Sequence, residues 1–144
     1  MAQALQVRRT YEIENLGPNK LWAGVARRDF QPGNTVVAIP VESSDKIQVI
    51  VNDAGGNYTF EVMGTPLFLG RKVQDGRHFV SLELQPAEWA VERIGEPERY
   101  RISVPGQDLF WSLPEAFDPS VEIELLGRHE GPSQEWRFQG LLLT

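Results

Sequence analysis

Apolar and polar residues alternate along this chain in short bursts, and the bursts recur. Tyr11-Glu12-Ile13, Tyr58-Thr59-Phe60 and Tyr100-Arg101-Ile102 each place apolar side chains on one face of an extended segment. Ten residues after each tyrosine stands an apolar residue, Leu21, Phe68 or Phe110, which marks a second segment. A third alternation follows in Val37-Ala38-Ile39, Val80-Ser81-Leu82 and Val121-Glu122-Ile123. A fourth closes each unit in Ile47-Gln48-Val49, Trp89-Ala90-Val91 and Trp136-Arg137-Phe138. The chain therefore reads as three repeats, approximately 8–52, 53–95 and 96–144, with four short strands in each. No stretch of ten or more residues carries a convincing 3.6-residue apolar period. Twelve strands in three equivalent units close most compactly as a six-stranded barrel capped by three hairpins. The pattern thus predicts an all-β chain with the β-trefoil architecture, forming a single domain over 1–144.

In such a fold the strands are scaffold, and function belongs to the loops. The aromatic residues follow the repeat. Trp89 and Trp136 fall at equivalent fourth-strand positions and Tyr11, Tyr58 and Tyr100 at equivalent first-strand positions, which predicts layered core packing rather than a stacking platform. Trp22 and Trp111 stand one place beyond Leu21 and Phe110, on the face expected to point away from the core, so part of their surface should be exposed. Turn residues occupy matching places at Gly17-Pro18-Asn19, Gly64-Thr65-Pro66 and Pro105-Gly106-Gln107, with links between repeats at 52–57 and 95–98. Loop lengths differ between repeats. Between second and third strands, repeat one has the long loop, 24–35, against 70–78 and 112–119. Between third and fourth strands, repeat three has the long one, 126–134. Length present in one copy of a repeat is surplus to the fold, so these two loops are the first candidates for function.

Composition narrows the chemistry. The absence of cysteine removes disulfides, thiolate catalysis and Cys-ligated zinc. The first ten residues carry Arg8 and Arg9 but no apolar stretch of the signal-peptide kind, and no apolar run approaches membrane-spanning length, so a cytoplasmic or unconventionally released protein with no membrane partner is expected. A net charge of −6, with no basic run longer than a pair, argues against a nucleic-acid partner. The two histidines, His78 and His129, lie in different repeats, and no catalytic triad order, metal-ligand spacing or nucleotide-binding glycine loop accompanies them. Glu122 and Glu124 alternate with apolar neighbours as a solvated strand face does. The chain reads as a non-enzyme without metal or cofactor.

What remains is a loop chemistry. Repeat one's long loop reads Gly24-Val25-Ala26-Arg27-Arg28-Asp29-Phe30-Gln31-Pro32-Gly33-Asn34. A trypsin-like protease takes one extended Arg or Lys side chain into a pocket with an aspartate at its base, a charge-assisted and potentially bidentate pairing. An inhibitor that offers this side chain on a loop already held in shape avoids much of the ordering cost of binding. Arg27 and Arg28, flanked by Ala26 and Asp29, are the first candidates, with Arg27 preferred because Arg28 would place acidic Asp29 just beyond the scissile bond. The alternative is Arg128-His129 on repeat three's long loop, and Arg71-Lys72 on the shorter loop of repeat two is a weaker one.

Val36-Val37-Ala38-Ile39-Pro40 after a long loop, Trp89-Ala90-Val91-Glu92 running to Tyr100-Arg101-Ile102, and Phe110-Trp111-Ser112-Leu113-Pro114 leading to Val121 and Trp136-Arg137-Phe138 together resemble the fungal β-trefoil serine protease inhibitors of the cospin and cnispin kind. The likeness covers nearly all of the chain. It implies an inhibitor of trypsin-like serine proteases, serving defence against fungus-eating animals or control of the producer's own proteases. Members of the group place the reactive residue on different loops. One such loop maps to Arg27 or Arg28 here, another to Arg128. The wider group includes papain-type inhibitors of the mycocypin kind, whose loops map to Gly17-Pro18 and to 41–46, and ricin-B-like lectins. Gln134-Glu135-Trp136 matches the lectins' Gln-x-Trp signature in one repeat only, the equivalents being Asp45-Lys46-Ile47 and Ala87-Glu88-Trp89. For glycans as partners, the nearest aromatic and polar cluster is Trp111 with Asp108 and Gln107.

Overall fold

A computed structural model describes residues 8–17, 20–95, 98–113, 121–129 and 131–140. Pro18 and Asn19 of the first turn, Glu96-Pro97 of the second inter-repeat link, and residues 114–120 of repeat three's second-to-third-strand link lie outside the described residues. Repeat one supplies β1 (Thr10–Asn15), β2 (Trp22–Gly24), β3 (Val37–Ile39) and β4 (Val49–Ala54). Repeat two supplies β5 (Asn57–Val62), β6 (Phe68–Gln74), β7 (Arg77–Glu83) and β8 (Ala90–Gly95). Repeat three supplies β9 (Arg99–Ser103), β10 (Phe110–Ser112), β11 (Val121–Glu122), β12 (Glu124–Leu126) and β13 (Trp136–Gly140). The third strand of repeat three is thus interrupted at Ile123, which gives thirteen strands among the described residues where twelve were expected.

The first and fourth strands close a barrel. β1 pairs with β4, β4 with β5, β8 with β9, β9 with β13, and β13 with β1, all antiparallel. The remaining join, β5 to β8, is the bridge between Tyr58 and Trp89, with bonds of 2.9 and 2.7 Å in the two directions. A closed ring leaves no barrel edge exposed for pairing with another chain. The second and third strands form hairpins, β2–β3, β6–β7 and β10–β12, over one end of it. These hairpins meet in a cycle of backbone bonds. Val36 N donates to Val80 O at 2.9 Å, Val80 N to Ile123 O at 3.1 Å, and Ile123 N to Val36 O at 3.0 Å. All three residues are fully buried.

The core under this cycle repeats with three-fold equivalence. Ile13, Phe60 and Ile102 on the first strands are fully buried. Across each hairpin a core pair faces inward: Ala23 with Ala38, Leu69 with Leu82, Trp111 with Leu125. The fourth strand completes the set. Trp89 Nε1 donates to Leu69 O at 2.9 Å and Trp136 Nε1 to Trp111 O at 3.1 Å, while Ile47, lacking a side-chain donor, reaches Ala23 O with its backbone N at 3.1 Å. Volume is shared unequally. Repeat one contributes two alanines and an isoleucine, and repeat three contributes Trp111, whose ring meets Trp89 edge-on at 5.4 Å and Trp136 at 5.6 Å. Offset and edge-on ring pairs of this kind add about 0.5–1.5 kcal/mol beyond area burial.

The structure corrects the register read from the sequence. Among the second strands the core positions are Ala23, Leu69 and Trp111, whereas Phe68 and Phe110 are only half-buried. Trp111 is therefore fully buried instead of partly exposed. Trp22 is buried as well, outside the central cluster, with the Lys46 ammonium 5.0 Å above its ring. Likewise the equivalent third-strand set is Val36, Val80 and Ile123, not Val37, Val80 and Val121. At Phe68/Leu69, Phe110/Trp111 and Val37/Val36 the slip is one residue, which reverses the face, and at Leu21/Ala23 and Val121/Ile123 it is two, which shifts the layer. Strands of three residues offer too few alternations to exclude either. Residues 70–78 are also not a loop. β6 and β7 run through them and join at Asp75-Gly76, whose φ values of 54° and 76° suit a tight two-residue hairpin turn. Arg71 and Lys72 are strand residues, and Lys72 Nζ donates to Gly33 O at 2.8 Å.

Trp136 couples β13 to β10 and fills the centre. Trp136→Ala should lower the unfolding free energy by about 3–5 kcal/mol, measured by urea denaturation, as emptying a large core site does. A loss under about 1 kcal/mol would contradict the packing described.

Candidate functional site

The long loop of repeat one leaves β2 through a tight turn at Ala26–Arg28. Ala26, Arg27, Arg28 and Asp29 are all exposed. Arg27 and Arg28 both lie in the left-handed region, with φ of 55° and 51°. Two adjacent non-glycine residues there cost roughly 1–2 kcal/mol each. Local bonds hold them: Arg28 N to Val25 O at 2.9 Å, Asp29 N to Ala26 O at 3.1 Å, and Arg27 N to Asp45 Oδ2 at 3.2 Å. The Arg28 guanidinium folds back, donating through Nη1 to Ser44 O at 3.0 Å and lying 5.0 Å over the Phe30 ring. Asn34 Nδ2 donates to Asp29 O at 2.9 Å, closing the loop's far side. Among the described residues the Arg27 guanidinium has no hydrogen-bond or ion-pair partner, so Arg27 is the side chain this turn presents. A protease takes substrate as an extended segment that pairs along its cleft. The left-handed turn must open before either arginine can be read that way.

The loop after β12 is built differently. Gly127, Arg128 and His129 are exposed, and neither Arg128 nor His129 has a positive φ. Three consecutive backbone groups are held by side chains. Gln134 Nε2 donates to Gly127 O at 2.9 Å, Asp108 Oδ1 accepts from Arg128 N at 2.9 Å, and Gln134 Oε1 accepts from His129 N at 3.0 Å. Gln134 ends a short 3₁₀ turn, Pro132–Gln134, is fully buried, and donates also to Ser112 Oγ at 2.9 Å. Asp108 reaches the loop from the β9–β10 turn, where Gln107 N donates to Val104 O at 3.1 Å. The approach is close: a Cβ at Gly127 would lie 3.0 Å from Asp108 Oδ2, so a side chain there would displace the carboxylate. The structure thus brings Arg128 and His129 together with Asp108 and Gln134. The bracing role of Gln134 was not foreseen, although its Gln-x-Trp context was the signal that marked it.

The glycan cluster expected of Trp111, Asp108 and Gln107 does not form. Trp111 is fully buried and offers no face to a sugar, while Asp108 and Gln107 lie exposed on a turn. A cleft of mixed polar and apolar lining exists elsewhere, about 550 Å³ in volume, with Arg27, Asp29, Asn34, Asp45 and Lys72 beside Val25, Ala26 and Val37. Of the segments mapped to papain-type inhibition, Gly17 N is bonded to Asn15 Oδ1 at 2.9 Å, and the 41–46 segment supplies the Asp45 and Ser44 acceptors that hold the arginine turn. Among the described residues no group of three His, Asp or Glu side chains could hold a metal ion.

No protein-family model and no curated protein matches this chain. Solved structures do. The Macrolepiota procera ricin B-like lectin, solved with lactose, aligns over 96% of this chain and 99% of its own, with a TM-score of 0.80 at 21% identity. The designed three-fold symmetric protein ThreeFoil aligns over 92% and 99%, with a TM-score of 0.75 at 13% identity. The fold is a β-trefoil. A proteinase inhibitor from Coprinopsis cinerea aligns over 92% of this chain and 97% of its own, with a TM-score of 0.68 at 17% identity. The β-trefoil scaffold therefore carries both lectins and a proteinase inhibitor among the neighbours of this chain.

If the repeat-one turn stores left-handed strain, Arg27→Gly relieves it. Urea denaturation should show stability unchanged or raised by up to about 1 kcal/mol, where an ordinary exposed position would lose stability on acquiring glycine. A clear loss would mean that Arg27 stabilises the turn through its side chain.

Proposed function

We propose that the protein inhibits trypsin-like serine proteases by presenting Arg128 on the loop between β12 and β13. The observation that carries this reading is an exposed arginine on a backbone that side chains from the scaffold hold at three successive residues. A substrate-like inhibitor needs an extended basic side chain for the protease's acidic pocket and a loop already ordered, because each flexible group frozen on binding costs affinity. Arg128 is exposed, and the backbone is held at Gly127, Arg128 and His129, with Glu130 outside the described residues. Arg27 and Arg28 take second place, since Arg28 is folded onto Ser44 O and the turn around both is left-handed. The Coprinopsis cinerea inhibitor's likeness in fold supports the reading, as does the resemblance of the sequence to inhibitors of the cospin and cnispin kind. Such complexes bury roughly 1,600 Å² in total and gain most of their affinity from a few desolvated anchors. The protein acts by occupying the protease, with no reaction of its own.

A second reading, carbohydrate binding, rests on the cleft beside Asp29, Asn34 and Asp45 together with the lactose-bound lectin that shares the fold. Paired acids and amides in a cleft can orient sugar hydroxyls. Among the described residues its lining contains no aromatic face on which a sugar ring could stack.

Arg128→Ala should weaken inhibition of trypsin by about 100-fold or more, as loss of a central anchor does, without altering the melting temperature. The double variant Arg27→Ala, Arg28→Ala should inhibit as the unaltered protein does. The reverse pattern would move the reactive residue to repeat one. Absence of inhibition in the unaltered protein, with binding on a glycan array that Asp29→Ala or Asp45→Ala removes, would establish the second reading.

A further inference from the structure

We infer that Gln134 is the positioning residue that makes this loop an inhibitor instead of a substrate, its one amide holding both sides of the Arg128–His129 peptide bond. The inference rests on the reading of Arg128 as the residue taken by the protease. Oε1 accepts from His129 N at 3.0 Å, on the leaving side of that bond. Nε2 donates to Gly127 O at 2.9 Å, one residue back on the acyl side. The amide itself cannot swing, because Gln134 is fully buried and Nε2 is also tied to Ser112 Oγ at 2.9 Å.

The chemistry of cleavage shows what such a hold does. The protease serine Oγ bonds to the Arg128 carbonyl carbon, the bond from that carbon to His129 N breaks, and His129 N takes a proton from the protease histidine to leave as an amine. Water can then hydrolyse the acyl-enzyme. Alternatively the amine can attack the same carbon, releasing the serine and restoring the chain. In a substrate the amine diffuses away and water wins. Here the new amine still donates to Gln134 Oε1, and the acyl side is still held at Gly127 O and through Asp108 at Arg128 N. Oriented intramolecular partners reach effective concentrations of roughly 10⁵–10⁸ M, so reclosure outruns hydrolysis while the loop is braced.

The three-fold repeat supplies an internal control. The residue equivalent to Gln134 is Ala87 in repeat two and Asp45 in repeat one. Both sit in complete copies of the barrel-and-hairpin unit, so the scaffold does not need an amide at this place. Only repeat three carries a side chain there that can donate to one side of a peptide bond and accept from the other.

The experiment follows the chain during long incubation with trypsin, by mass spectrometry, for the unaltered protein, Gln134→Glu and Gln134→Ala. Gln134→Glu keeps size and an acceptor but loses the donor to Gly127 O. Val51→Ala, in β4 and fully buried, serves as a variant destabilised at a place with no loop contact. Protein already nicked after Arg128 is tested in parallel for reclosure on mixing with trypsin. The unaltered protein should stay largely intact, and its nicked form should reclose. Both Gln134 variants should be cut after Arg128 about tenfold faster or more and should fail to reclose, while Val51→Ala behaves as the unaltered protein. Equal cleavage of all four proteins, in the presence of inhibition, would overturn the role of Gln134 and leave the inhibitor reading standing. Faster cleavage of Val51→Ala to the same degree would also overturn it, by making global stability the cause. If the unaltered protein does not inhibit trypsin at all, the reading beneath the inference falls with it.

Discussion

Three backbone hydrogen bonds that close on one another, Val36 to Val80, Val80 to Ile123 and Ile123 to Val36, hold the rest of the molecule in place. Two of the three cap hairpins are short: β2, β3, β10 and β12 have three residues apiece, against seven in β6 and in β7. Isolated hairpins of that length are not stable in water. Joined in a cycle they satisfy one another's buried donors and acceptors, each of which would cost about 1–3 kcal/mol if left unmade. The cycle also sets register. Once Val36, Val80 and Ile123 are fixed, Ala38, Leu82 and Leu125 must face the core two residues later, opposite Ala23, Leu69 and Trp111.

The loops inherit their precision from that register. Trp136 ties β13 to β10 through the indole bond to Trp111 O, and two residues earlier Gln134 meets Ser112, the next residue of β10. The amide that braces the Arg128 loop is thus mounted on the same pair of strands as the central tryptophans. Asp108, from the turn before β10, completes the support. Repeat one uses the equivalent place otherwise: Asp45 holds Arg27 N, and a left-handed turn results. One architecture has produced two different arginine loops, one coiled into a left-handed turn and one braced by a buried glutamine.

Much of the fold was legible in the sequence. Its signal was not any single strand but the recurrence of four alternating triplets in three units, which survives local ambiguity. Register was less legible. Phe110 looked like the core residue because it follows Tyr100 by ten, as Phe68 follows Tyr58, yet Trp111 is the buried one. The same slip misplaced the glycan cluster built on Trp111. Strand extent was hidden at 70–78, where Arg71, Lys72, Gln74 and Asp75 look like a polar loop, while β6 and β7 pair by backbone bonds that polar side chains do not disturb. The candidate arginines were visible by residue type and loop length. Their conformations were not, because the left-handed turn at Arg27 and Arg28 is held by Asp45 and Ser44, and the Arg128 loop by Asp108, each 16 to 20 residues away. Gln134, only five residues from His129, braces that loop through a buried amide that residue type alone does not reveal.

The most direct test of the account is a titration of active-site-calibrated trypsin with the unaltered protein, with the bound chain then weighed by mass spectrometry. The account predicts near-stoichiometric inhibition with the chain intact, or in equilibrium with a form nicked after Arg128 and nowhere else. Rapid degradation at many sites, or no effect on the enzyme at a large excess of protein, would contradict it.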